Sequence, residues 1–297
     1  MYARTQKACD MKPMGEIVAT LDKKNVSMND VAVAAGVSLK TVSRVINEPD
    51  SVRESTRDKV HAAMEALGFR TNFAARSLKL GRYGCIGVVL FHLSGGAVDM
   101  IDGIADAAEE RGFALTMIKK RAGEKMTLAD AARRMSQLPV DGMIFNLRQM
   151  VDDFDTFEAP KDLKIVIITP MEHPSCSTVS DDQEGGARMA CEYFLDHGHK
   201  SVYFVAGKAE SLSSQCRMKG WRAALEARGI EPPEPLQGDW NADSGYAAGL
   251  ALADKPDCTA VLAANDCMAN GVMMALRDKG LSVPDDVSVI GFDAEPY

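Results

Sequence analysis

Between Val26 and Phe69 the apolar residues recur at a helical period, and glycine and polar breaks cut the run into three short pieces. Helices this short are marginal alone in water, so they must share one small core. Ser27 and Asp30 have the form of an N-cap with a reciprocal acidic partner, opening a helix across Val31, Ala32, Ala34 and Ala35. Gly36 ends that helix by supplying the positive φ of a tight turn. Ser38 caps a second helix with Val42, Val45 and Ile46 inward. Ser51 or Ser55 is expected to open a third, with Val60, Ala63, Met64 and Leu67 inward and Gly68 closing it. Two short helices about a glycine turn, braced by a third, form a helix-turn-helix.

The second helix turns Leu39, Lys40, Thr41, Ser43, Arg44 and Asn47 outward. Arginine and lysine offer paired donors to guanine O6 and N7, while serine, threonine and asparagine suit phosphate oxygens. Ser27, Asn29 and Ser38, at the helix starts, join this candidate DNA-facing set. Charge agrees: residues 1–80 hold 13 Lys+Arg against 9 Asp+Glu, or +4, leaving −12 of the net −8 to residues 81–297. A basic head on an acidic body meets a polyanion through the head.

From Cys85 onward β-rich runs alternate with amphipathic helices. The runs are 86–91, 114–118, 142–145, 165–168, 202–206, 260–264 and 287–292, with helical stretches at 100–111, 128–138, 187–195, 217–227 and 271–281. This alternation predicts doubly wound parallel sheets, which take ligands beyond the carboxyl ends of their strands. A polar stretch at 179–183 marks a crossover between two subdomains. The expected domains are a polar leader over 1–24, the all-α helix-turn-helix head over 25–70, a linker over 71–82, and α/β subdomains over 83–180 and 181–297.

Seven scattered cysteines, odd in number and without a C-x-x-C pair, argue against a disulfide framework or structural zinc and for a reducing, cytosolic compartment. Neither a signal-peptide core nor a membrane-length apolar stretch is present, so no membrane partner is expected. The sequence lacks a dinucleotide or Walker loop, a nucleophile elbow and a zinc-protease motif, which leaves no enzyme reading, cofactor or metal. His197 and His199 have metal-like spacing, but a structural role is the simpler reading. A sugar-binding transport protein without gene control is the alternative, and the helix-turn-helix counts against it.

The run DVAVAAGVSLKTVSRVIN, residues 30–47, strongly resembles the signature of the lactose-repressor (LacI/GalR) family of bacterial transcription regulators, without mismatch at its fixed positions. The resemblance implies that Leu39 and Lys40 carry much of the base choice and that Arg44 is a further base reader. It also implies that TNFAARSLKLGR, residues 71–82, is a hinge helical on operator DNA, with Leu78 as a minor-groove wedge and Asn72, Ala75 and Lys79 beside it. The body is similar to periplasmic sugar-binding proteins through SSQCRMKGW (213–221), GDW (238–240), AAND (263–266) and SVIGFD (288–293).

On that resemblance, Ser213, Arg217, Asn265, Asp266 and Asp293 bind a small effector, with sugars the commonest class, and Trp240 stacks on it. Trp240 offers a large apolar face with a polar edge. The resemblance further implies a homodimer, or a tetramer, on a near-palindromic double-stranded operator at the bacterial nucleoid. Two departures stand out. The loop FHLSGGAV, residues 91–98, replaces the family's usual aromatic wall, leaving Phe91 and His92 to serve. The sequence stops at Tyr297, where family members continue, so the second subdomain is expected to be incomplete with an open sheet edge.

Overall fold

In the computed structural model, residues 26–70, 81–92 and 97–294 are described. The chain divides between Gly81 and Arg82 into a small and a large unit.

The small unit contains α1 (Met28–Ala35), α2 (Leu39–Asn47), a 3-10 turn (Pro49–Ser51) and α3 (Glu54–Leu67). Ser27 and Asp30 form the expected capping box. Gly36 has φ 65°, and Val37 N–H closes the end of α1 on the carbonyl of Ala32 at 3.0 Å. Ser38 caps α2 through the Thr41 amide. Val31, Val42, Val45 and Val60 fill the core with Ala32 and Ala63. Each well-buried valine contributes roughly 1.5–3 kcal/mol, a small sum that leaves caps and turns to make up the rest.

Two expectations fail here. Neither Ser51 nor Ser55 caps α3: Ser51 ends the 3-10 turn, Ser55 lies inside the helix, and Arg53 occupies the cap position without a side-chain bond. Leu67 is 38% exposed, while Met64 and Phe69 pack against the core at this end of α3.

The large unit holds two parallel sheets. The first comprises β1 (Cys85–Leu90), β2 (Ala114–Lys119), β3 (Gly142–Asn146), β4 (Lys164–Ile168) and β5 (Ser177–Val179), in the order β2-β1-β3-β4-β5. Helices α4 (Ala97–Glu110) and α5 (Leu128–Met135) belong to this part. The second comprises β6 (Tyr203–Ala206), β7 (Leu236–Gln237), β8 (Ala260–Ala263) and β9 (Ser288–Ile290), in the order β7-β6-β8-β9. It carries α6 (Gln183–Asp196), α7 (Leu212–Ala227), α8 (Ala242–Ala253) and α9 (Asp266–Asp278). Every paired strand is parallel, as the alternation requires. Connections leave in opposite directions between β1 and β3, and again between β6 and β8, opening a crevice at the carboxyl ends in each sheet.

Each sheet has its own core. Phe145, Leu128, Met135 and Ile167 centre the first; Phe204, Trp221, Leu225 and Leu262 centre the second. Trp221 stacks on Phe204 at 5.2 Å and donates to the Val202 carbonyl at 2.9 Å. Helices α8 and α9 meet backbone to backbone. A Cβ on Gly245 would lie 2.1 Å from the Met268 carbonyl oxygen, and one on Gly271 would lie 2.0 Å from that of Ala242.

Strands β5 and β7 and helix α8 are additions to the sequence expectation. The two strands are three and two residues long, and Gly245 and Gly249 weaken the helical pattern of α8. Helices α6, α7 and α9 begin four or five residues earlier than expected, each capped by a side chain: Asp182, Ser211 and Asn265. The polar stretch at 179–183 is therefore the end of β5 and the start of α6. No described helix is long and apolar enough to cross a membrane.

Candidate functional site

In the small unit, α2 presents Leu39, Lys40 and Arg44 to solvent, with Thr41, Ser43 and Asn47 half-buried at the edges of that face. Asn29 is exposed on α1. Several polar groups already serve the backbone. The Ser27 hydroxyl accepts from Asp30 N–H at 3.3 Å, and Ser38 Oγ lies 2.9 Å from Thr41 Oγ1. Asn47 donates to the Ser43 carbonyl at 2.7 Å, and Arg44 donates to that of Ser51 at 3.2 Å. Leu39 and Lys40 make no such bonds among the described residues. Asn72, Ala75, Leu78 and Lys79 lie outside the described residues.

In the large unit, the second crevice is organised around Arg217. This arginine sits on the second turn of α7, one turn after Ser213, which is also buried. Its Nε donates to Gln183 Oε1 at 2.5 Å and one terminal nitrogen donates to the Ala264 carbonyl. The other reaches Asp293 Oδ1 at 2.8 Å. Three bonds leave up to two of the five guanidinium N–H groups for a ligand. The Phe292 ring lies 3.7 Å below the guanidinium carbon, and the Trp240 ring is 5.8 Å away. Burial pushes the Arg217 pKa down, opposed chiefly by the Asp293 carboxylate. An arginine remains charged under such pressure.

Asp293 follows β9 with φ 99°, and Trp240 follows β7 with φ 81°. Non-glycine residues in this region are strained, and such strain concentrates at ligand sites. The Trp240 ring lies over Gly207, where a Cβ would come 2.2 Å from it. Asn265 caps α9 through the Met268 amide at 2.9 Å and donates to the Trp240 carbonyl at 3.1 Å. Asn265 therefore positions Trp240 and keeps one amide N–H and one Oδ1 lone pair beyond these two bonds. Asp266 opens α9, its backbone N–H bonded to the Phe292 carbonyl. Gln183 and Phe292 complete this group but escaped prediction. Gln183 hid in a stretch read as a crossover, and Phe292 looked like the end of a strand.

The first crevice receives Phe91 and His92 from the end of β1. Phe91 is buried edge-on against Phe145 at 6.2 Å, so it is part of the core rather than an open wall. With His92 it borders a 180 Å³ cavity that Lys120, Glu124, Met126 and Val151 also line. That volume is below the roughly 300–1,000 Å³ of drug-sized ligand sites. The two parts touch here: Leu212 N–H at the start of α7 donates to the Arg148 carbonyl after β3 at 3.0 Å.

A helix-turn-helix unit followed by paired parallel sheets with a polar cleft is the architecture of a ligand-responsive regulatory protein. Residues 27–72 match the family described as bacterial regulatory proteins, lacI family. Residues 191–297 match a periplasmic binding protein-like domain. The lactose operon repressor of Escherichia coli is 32% identical over 91% of this chain and 76% of its own length. The HTH-type transcriptional repressor PurR of Photobacterium profundum is 31% identical over 90% of this chain and 81% of its own. Among solved structures, the Lac repressor dimer bound to operator and the anti-inducer ONPF superposes with a TM-score of 0.75. It shares 28% identity, covering 92% of this chain and 83% of that one. The chain belongs to the lacI family of bacterial regulatory proteins.

Proposed function

We propose that the chain is a sequence-specific transcriptional repressor whose affinity for a near-palindromic operator is set by a small molecule in the cleft of the large unit. The observation that carries the reading is the buried Arg217–Asp293 pair at the carboxyl ends of the second sheet, with Asp293 on left-handed backbone and the rings of Trp240 and Phe292 beside the guanidinium. This arrangement matches a polyol: a carboxylate accepts from hydroxyls, a guanidinium donates to them, and an aromatic ring covers the apolar face of the sugar. A carbohydrate is the proposed effector, with Ser213 and Asp266 bordering Arg217 and Asp293.

Leu39, Lys40 and Arg44 are the proposed base readers, and Ser27, Asn29, Ser38, Thr41, Ser43 and Asn47 the phosphate-side set. The hinge at 71–82 links the head to subdomains over 83–180 and 181–297. Two heads on a homodimer would read the two half-sites. A ligand that prefers one arrangement of the cleft shifts the population competent for DNA, with a coupling typically of about 1–3 kcal/mol. The reading involves no catalysis, and its place of work is the bacterial cytoplasm, where the operator is.

A panel of mono- and disaccharides and nucleobases tests the reading, with tryptophan fluorescence and operator gel shift as paired readouts. Trp221 is sealed in the core, so a saturable change reports on Trp240. Asp293→Ala is expected to abolish both the change and the operator response while leaving DNA binding. A full response in that variant would exclude Asp293 from the site.

A further inference from the structure

The first crevice contains an arrangement that a neutral sugar does not explain. Asn146, the last residue of β3, is 1% exposed, yet its Nδ2 has no hydrogen-bond partner. Nε of Arg148, two residues on, and Nδ1 of His92, after the neighbouring β1, are also buried without partners. Arg148 forms no ion pair among the described residues, and neither does Lys208, on the loop after β6. Buried polar groups are almost always satisfied, and the two donors left open on Asn146 and Arg148 at one crevice ask for an acceptor from outside.

The charges around this corner are mostly positive. The His92 pKa is lowered by burial, then by Lys120 and Lys208, with Arg148 adding to the effect and Glu210 opposing it. Arg148 also presses on Arg217, whose own partners are Asp293 and, through space, Asp181. The Lys120 ammonium donates to a backbone carbonyl, that of Glu124, so its charge is not cancelled by that bond. The corner lies at the carboxyl ends of β1 and β3, where their connections leave in opposite directions, and the bond from Leu212 N–H to the Arg148 carbonyl fixes it against the helix that carries Arg217.

We propose that Arg148 and Asn146, with Lys208 from the facing loop, form an oxyanion subsite of the cleft, and that the effector is an anionic carbohydrate. The inference rests on the cleft being the effector site. A guanidinium holds a phosphoryl or carboxylate group through parallel N–H bonds, and an amide N–H adds a neutral donor. Arg217 and Asp293 would then take the hydroxyls at the opposite end.

Calorimetric titrations of the full chain at fixed ionic strength, with inorganic phosphate, glucose 6-phosphate, glucuronate and glucose, test the subsite. Inorganic phosphate is expected to bind, and Arg148→Gln to weaken it about tenfold or more, with Arg148→Lys keeping part of the affinity. The ligand-free melting temperature of Arg148→Gln should be equal or higher, since an unpaired charge is lost. Equal phosphate affinity in wild type and Arg148→Gln, or no phosphate binding at all, overturns the subsite. A sugar anion that binds more tightly than both phosphate and glucose places the charge on the effector, whereas phosphate binding as tightly as every sugar anion assigns the subsite to the free ion and overturns the anionic-carbohydrate half. Anion-indifferent binding with neutral sugars still active removes this inference alone. Arg148-dependent phosphate binding, without any operator response across the sugar and nucleobase panel, keeps the subsite and counts against the effector reading.

Discussion

Arg217 and Asp293, 76 residues apart, meet at 2.8 Å with the arginine side chain 4% and the aspartate 23% exposed. One residue stands on a helix that leaves β6 and the other on the turn that ends β9, so the pair ties a central strand's crossover to the sheet edge. Its partners Gln183 and the Ala264 carbonyl come from two further elements. Four segments of the chain therefore converge on one cation.

Removing that cation should be costly. Arg217→Met leaves Asp293 and the Ala264 carbonyl without their donor, and breaking a buried pair in this way destabilises by about 3–5 kcal/mol. The partial exposure of Asp293 puts the expected loss near the lower figure. Urea denaturation followed by Trp221 fluorescence should show a lower midpoint with an unchanged slope.

The base-reading role proposed for α2 is separable from its charge. Arg44→Ala should reduce discrimination between operator and random DNA by about 1–3 kcal/mol while retaining salt-sensitive binding to both. Gel-shift titrations on the two DNAs at several salt concentrations check this. Equal losses on operator and random DNA would instead identify Arg44 as a phosphate contact.

The cap on α1 should matter in proportion to the small core it serves. Ser27→Ala removes the acceptor for the Asp30 amide and is expected to cost about 0.5–2 kcal/mol. Faster amide exchange along α1, with the large unit unaffected, is the expected signature.

Stability should also fall on mild acidification. His92 and His199 both have lowered pKa values, with burial the leading cause in each. Below the ordinary histidine pKa the unfolded chain takes up protons that the native state still refuses. Stability is thus complete above about pH 6.5 and declines as pH falls toward the native values. His92→Asn and His199→Asn should each flatten the decline measured by thermal melts between neutral and mildly acidic pH.

How much of this was legible in the sequence depended on how local the cause was. Ser27, Asp30, Gly36 and Ser38 act within a few residues, and the first two helices formed where they indicated. Gln183 reaches Arg217 across 34 residues, and nothing in its neighbourhood marks it as a ligand of a guanidinium. Asn265 was recognised as polar at a strand end, yet its amide is committed to a helix cap and to Trp240. Phe91 was recognised as aromatic near the cleft, but its position after β1, an inner strand of the sheet, packs it against Phe145 in the core. Residue type and strand end were readable; the partner that claims each side chain was not.

The reciprocal seating of Gly245 and Gly271 has a mechanical consequence. Each glycine receives the backbone of the opposite helix, so α8 and α9 cannot slide past one another without forcing a carbonyl into a neighbouring chain. The pair acts as a stiff bar, and any ligand-driven movement of the second sheet must be taken up in the segments that connect it to the first. Hinge positions for engineering this sensor should therefore be sought around 179–183, where the chain passes from β5 into α6, and kept away from the helices themselves.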